Sequence, residues 1–126
     1  MRTTILALVL GAASCSSSPP TKPASSEPTA VPDPRAARTL IASGAVVIDV
    51  RTPDEYQGGH VSNASNIPVD QFADRIAEVD HLAGPDKTKP LVVYCAAGSR
   101  AAKAKQILEA AGYTHVVNGG GFDDLQ

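Results

Sequence analysis

The sequence contains no tryptophan, and three tyrosines and two phenylalanines are its only aromatic residues in 126. Any core it builds must therefore be filled by Val, Ile, Leu and Ala. Positive charge is not in excess: 11 Lys and Arg stand against 13 Asp and Glu, for a formal net charge of -2. This balance lacks the basic face of a nucleic-acid-binding domain, and the acids are too scattered to form an acidic tail. No apolar run is long enough to cross a bilayer, which takes about 20 residues. Phosphate-loop spacing is missing, and Gly119-Gly120-Gly121 is not a dinucleotide fingerprint. His60, His81 and His115 lie far apart without metal-ligand spacing, so neither a metal nor another cofactor is expected. Cysteine is scarce too, with Cys15 after an apolar run and Cys95 at the end of a strand-like one. Such different settings argue against a disulfide between them and leave Cys95 as a lone thiol.

What is present begins with an N-terminal address. Arg2 is followed by the apolar stretch Ile5 to Ala13 and then by small residues, the pattern of a secretory signal peptide over residues 1–14. A short uncleaved membrane anchor is the alternative. Ala12-Ala13-Ser14-Cys15 resembles the lipobox of bacterial lipoproteins, although Leu is more usual where Ala12 stands. In that family the cysteine sulfur takes up lipid and the residue becomes the new N-terminus. The resemblance therefore implies lipidation of Cys15, membrane attachment and a place in the cell envelope or periplasm. Ordinary cleavage with Cys15 left free is the rival. The segment 15–33 is rich in Ser and Pro and has no apolar periodicity, so it is expected to be a disordered linker. Extended at about 3.1 Å per residue, it would hold a domain a few tens of ångströms from a membrane.

The remainder, 34–126, is expected to fold as one small domain. Asp33-Pro34 is a helix start, with Ala36, Ala37, Leu40 and Ile41 on the apolar side and Gly44 as the stop. Ala45 to Val50 and Leu91 to Tyr94 are continuous apolar runs, the signature of strands buried on both faces. Thr52 to Tyr56 reads as a capped helical turn, Asn66 to Pro68 as a very short strand, and Asp70 as the cap of a helix carrying Phe72, Ile76 and Val79. A helix runs from the Cys95 loop to Ala111, and His115 to Asn118 is the last strand, ended by the three glycines. Alternation of strands and helices predicts an α/β fold, a small parallel β-sheet flanked by helices on both faces. Ligands bind such sheets outside the C-terminal strand ends, where Asp49-Val50-Arg51 and Cys95 fall.

The segment Cys95-Ala96-Ala97-Gly98-Ser99-Arg100 joins a buried strand to a helix. First-turn helix amides lack intrahelical acceptors, and with the loop amides they can converge on one point as an anion cradle. That setting, with the helix dipole, favours a thiolate at Cys95. Ala96, Ala97, Gly98, Ser99 and Arg100 are the expected substrate-binding residues, small enough to leave the cradle open. The competing assignment is a buried structural cysteine at a strand end.

Four segments in order resemble rhodanese-like domains: Asp49 to Tyr56, Gly59 to Pro68, Val92 to Arg100, and Ala111 to Gly120. Asn63 stands where Gly is frequent, and no Trp follows Phe122. The resemblance implies a thiosulfate sulfurtransferase in which Cys95 is the catalytic nucleophile and carries a persulfide. A small anionic donor such as thiosulfate would supply the sulfur, and cyanide or a thiol would accept it. Arg100 would orient the donor or fix the loop by a salt bridge, and Asp49, Arg51 and Glu55 would form a supporting ion-pair network. Four residues separate Cys95 from Arg100; related phosphatases and arsenate reductases have one more, which suits phosphate better than sulfur. Two alternatives remain open at this point, a non-catalytic envelope-tethered binding module and a Cys-dependent phosphatase or reductase. A monomer is the expectation for so small a chain.

Overall fold

The computed structural model describes Gly11 and residues 31–126. The expected signal peptide, the lipidation site Cys15 and most of the linker lie outside the described residues. Helix α1 (Pro34–Ala42) starts where Asp33 accepts a 2.9 Å hydrogen bond from the Ala36 amide, with Pro34 at the first helical position. Strand β1 (Val46–Asp49) follows, then the short helix α2 (Pro53–Gln57). After these come β2 (Ser65–Asn66), α3 (Ile76–Ala83), β3 (Leu91–Cys95), α4 (Ser99–Ala110) and β4 (Val116–Gly121). The four strands form one sheet in the order β2-β1-β3-β4, and every pairing is parallel. This is the α/β architecture expected from the alternating pattern.

The pleat sorts the apolar residues of the central strands onto two faces. Ile48, Leu91, Val93 and Cys95 pack with Phe72, Val79, Ala101, Ala104 and Leu108 under α3 and α4. Val47, Val92 and Tyr94 pack with Ala37, Val61, Ala64 and Leu125 on the opposite face. Cys95 thus ends a central strand on the α4 side, beneath the helix that its own loop initiates.

Three boundaries differ from expectation. The glycines 119–121 do not end the last strand but belong to it. A Cβ on Gly119 would lie 3.1–3.3 Å from Leu125, Ala37 and Val92, and one on Gly121 would collide with the Ala96 carbonyl. The strand continues because glycine lets its neighbours approach this closely. Asp70 does not cap a helix. It lies in a 3-10 turn, Val69–Gln71, and α3 begins only at Ile76, without a side-chain cap. Phe72 is fully buried between the two segments, so it is the core that places this stretch rather than one helical period. The linker boundary also moves. The Asp33 amide donates to the Asn118 carbonyl at 2.7 Å, and Pro32 packs over Gly98 and Gly120, so both residues belong to the folded unit.

Leu108 is fully buried in the α4 side of the core. Leu108→Ala is expected to lower unfolding free energy by about 2–5 kcal/mol, read as a lower urea midpoint with an unchanged m-value.

Candidate active site

Strand β3 delivers Cys95 to the C-terminal edge of the sheet with 1% of its surface exposed. Ala96 and Ala97 are exposed at the loop tip, and Gly98 turns the chain into α4 with φ +98°, in the left-handed region that glycine alone enters without strain. This turn sends the Gly98 amide back toward the cysteine, where it donates to Sγ at 2.9 Å. No side chain caps α4, so loop and first-turn amides remain the polar surface of the cradle. Gly98 sits where a Cβ would be 2.7 Å from the Pro32 ring.

Arg100 lies one residue into α4 and forms a two-pronged pair with Glu55, at 2.8 and 3.1 Å. Glu55 also closes the capping box of α2. It accepts from the Thr52 amide at 2.9 Å while its own amide donates to the Thr52 hydroxyl at 3.3 Å. Arg100, helped by the Thr52 amide, holds the Glu55 carboxyl down to about 2. Arg100 is in turn held further above its ordinary value, chiefly by Glu55 and to a lesser degree by the charge of Cys95.

Asp49 is fully buried at the end of β1 and holds Arg51. The guanidinium donates to both carboxylate oxygens at 2.7–3.0 Å and to the Gly59 carbonyl at 2.6 Å. It also lies over the Phe122 ring, 4.7 Å from the centroid. The Tyr94 hydroxyl donates to Asp49 at 2.8 Å and accepts from the Val61 amide at 3.0 Å. Burial first, and then Asp49, raise the Tyr94 phenol above its ordinary value. Asp49, Arg51 and Glu55 therefore do not form one network. Asp49 and Arg51 are a buried pair tied to Tyr94 and Gly59, while the capping box turns Glu55 toward α4 and Arg100.

Sequence reasoning missed Asn118 and Tyr94 as site residues. Asn118 is 1% exposed, and its side-chain amide donates to the Gly98 carbonyl at 3.0 Å. A polar residue directly after the apolar pair Val116-Val117 was the available signal. A cleft of about 330 Å³ opens beside the loop, bordered by Val50, Val69, Asp70, Ser99, Arg100 and Lys103. Lys103 is exposed there and has no ion pair among the described residues. Among the described residues no group of three His, Cys, Asp or Glu is placed to hold a metal.

The sequence profile described as "Rhodanese-like domain" matches residues 33–126. The chain belongs to the rhodanese-like domain family. Among curated proteins this rhodanese-like chain is 49% identical over 78 residues to the thiosulfate sulfurtransferase PspE of Escherichia coli K12, covering 62% of this chain and 71% of PspE. It is 39% identical over 72 residues to the tRNA uridine(34) hydroxylase of Erwinia tasmaniensis, covering 57% of this chain and only 21% of that protein. Among solved structures, a rhodanese with anions from E. coli superposes with a TM-score of 0.56 at 46% identity, covering 64% of this chain and 89% of that one. The human single-domain sulfurtransferase TSTD1 superposes with a TM-score of 0.56 at 31% identity, covering 68% and 85%.

The Glu55–Arg100 pair gives a pH prediction. A carboxyl lowered from 4.5 to about 2 contributes stability that is fully present above pH 4.5 and lost as pH falls through 2. Both side chains are about a third exposed, so solvent screening holds the contribution to about 1 kcal/mol or less. In Glu55→Gln the urea midpoint should be lower at neutral pH and fall less steeply between pH 4.5 and 2 than in the parent.

Proposed function

We propose that this rhodanese-like chain is a sulfurtransferase that moves sulfane sulfur from a donor such as thiosulfate to cyanide or a thiol. The observation that carries the reading is the Gly98 amide aimed at Cys95 Sγ, 2.9 Å away, inside a loop with four residues between Cys95 and Arg100. The name of PspE, a thiosulfate sulfurtransferase, supports it.

In the first half-reaction the Cys95 thiolate attacks the outer sulfur of thiosulfate. A new S–S bond forms, the donor S–S bond breaks, and sulfite leaves with the bonding pair. The enzyme then carries a Cys95 persulfide, whose outer sulfur is stabilised by the loop and first-turn amides. In the second half-reaction the acceptor attacks that sulfur, and the Cys95 thiolate departs unchanged. This is covalent catalysis in two displacements with no net oxidation of the enzyme. The amides and Lys103 at the cleft offer the donor its positive surroundings. Arg100 is balanced by Glu55 and serves first to fix α2 against the start of α4.

Incubation of the protein with thiosulfate should add one sulfur atom to Cys95, seen by intact mass and lost on addition of cyanide. Cys95→Ser should take up none and should abolish thiocyanate formation. Absence of sulfur uptake by the parent, or thiocyanate formation undiminished in Cys95→Ser, would refute the reading.

The exported, lipid-anchored state is part of the same proposal. It rests on the apolar run Ile5 to Ala13 and the small residues leading to Cys15. A diacyl-modified Cys15 should be the N-terminal residue of the membrane-fraction protein by mass spectrometry, and Cys15→Ala should move the protein to the soluble fraction.

A further inference from the structure

The geometry points to Asn118 as a positioning residue for the Cys95 loop, one that sets how readily the cysteine ionises. The inference rests on Cys95 being the nucleophile of the proposed reaction.

Strands β3 and β4 pair regularly up to Val93 opposite Asn118, and the ladder resumes at Cys95 opposite Gly121. Between those points β4 carries one residue more than β3. The extra residue makes a bulge, with Gly120 at φ +81°. A bulge leaves ladder groups without partners, and Asn118 takes up one of them: its Oδ1 accepts from the Gly120 amide at 2.9 Å. Its Nδ2 is then directed across to the Gly98 carbonyl at 3.0 Å.

The second bond is not needed to satisfy Gly98. That carbonyl already accepts the first helical bond of α4, from the Ala102 amide at 2.9 Å. The added donor restrains orientation. Gly98 has no Cβ to limit its rotation, and it stands in the left-handed region with its amide 2.9 Å from Sγ and its carbonyl turned to Asn118. Asn118 grips one side of this residue while Sγ receives the other. The Pro32 ring closes the third side, and the Asp33 amide bonds the Asn118 backbone carbonyl at 2.7 Å, so the entry of the domain is fastened to the same point. A hydrogen bond to the charged form of a thiol favours that form. Loosening Gly98 should therefore shift Cys95 toward the neutral thiol.

The test is the pH dependence of iodoacetamide alkylation at Cys95 in the full chain, followed on the Cys95 peptide so that Cys15 does not contribute. Asn118→Ser keeps a hydroxyl that can accept from Gly120 but is too short to reach Gly98. Its alkylation midpoint should rise by about half to one pH unit. Its kcat for sulfur transfer should fall about 3- to 10-fold below the midpoint, with KM for thiosulfate little changed. Val79→Ala, buried in α3 away from the loop, should lower the urea midpoint and leave the alkylation midpoint where it is. An unmoved midpoint in Asn118→Ser, or an equal shift in Val79→Ala, overturns the inference. Should Asn118→Ser fail to fold, Asn118→Thr likewise keeps a hydroxyl that can accept from Gly120 and is too short to reach Gly98, and an unmoved midpoint there is equally fatal. Alkylation uses no sulfur donor, so the two ideas fail separately. A shifted midpoint without sulfur uptake sinks sulfur transfer and keeps the positioning role, whereas uptake with an unmoved midpoint does the reverse.

Discussion

The hydrogen bond from the Gly98 amide to Cys95 Sγ constrains nearly everything around it. For the amide to point back at the sulfur, the chain must reverse within three residues of the strand end. It does so through a left-handed residue, and that residue must be glycine. The reversal drives the Ala96 carbonyl against β4, so Gly121 can carry no side chain there. The close approach and the bulge beside it turn the end of β4 into a glycine run, which in another context would simply have been a turn. The parallel sheet supplies the fixed frame. Cys95 is held at the end of a central strand that is buried on both faces.

Charge around the loop is organised in separate layers. Asp49 and Arg51 are buried together and further tied by Tyr94 and the Gly59 carbonyl, hydrogen bonds that offset part of the cost of removing both from water. Glu55 and Arg100 form the outer pair, linking the cap of α2 to the first turn of α4. Each arginine is paired with its own carboxylate, although Arg100 also interacts with Cys95. The backbone donor at Sγ is the Gly98 amide, whose direction is fixed by the fold. In the proposed reaction such a dipole would need no reorganisation as charge moves from the thiolate to the leaving group.

The sequence made the sheet readable because its central strands are nearly pure runs of Val, Ile and Leu between clear breakers. Asp33-Pro34 and the Thr52 to Glu55 box are local signals whose partners lie three residues away, and local spacing is what a sequence displays. The Cys95 loop was legible for the same reason. Other features depend on residues distant in the chain. Glu55 reads equally well as a partner for Arg51 or for Arg100, 45 residues on, and only the placement of the α2 cap within reach of the start of α4 decides between them. Asp70 is a good cap by type, but the burial of Phe72 breaks the helix that it would have capped. Asn118 looked like an ordinary strand residue because its partner Gly98 is 20 residues away, across a bulge that no local pattern announces.

The loop's size and its supports together favour sulfur as the group held. A Cys-x-x-Gly-x-Arg loop brings the Gly98 amide to within bonding distance of Sγ itself. A phosphoryl group under attack would place its oxygens beyond the sulfur, whereas the atom of thiosulfate that would meet Sγ is a single sulfur. Here Arg100 is clasped by Glu55, and Gly98 is held from behind by Asn118 and Pro32, so the loop has little freedom to widen. A single sulfur atom added to Cys95 would extend the side chain by one bond within the loop whose tip, Ala96 and Ala97, is exposed. In the proposed sulfur transfer, the same contacts that hold the loop would keep the amide cradle close around a sulfur carried on Cys95.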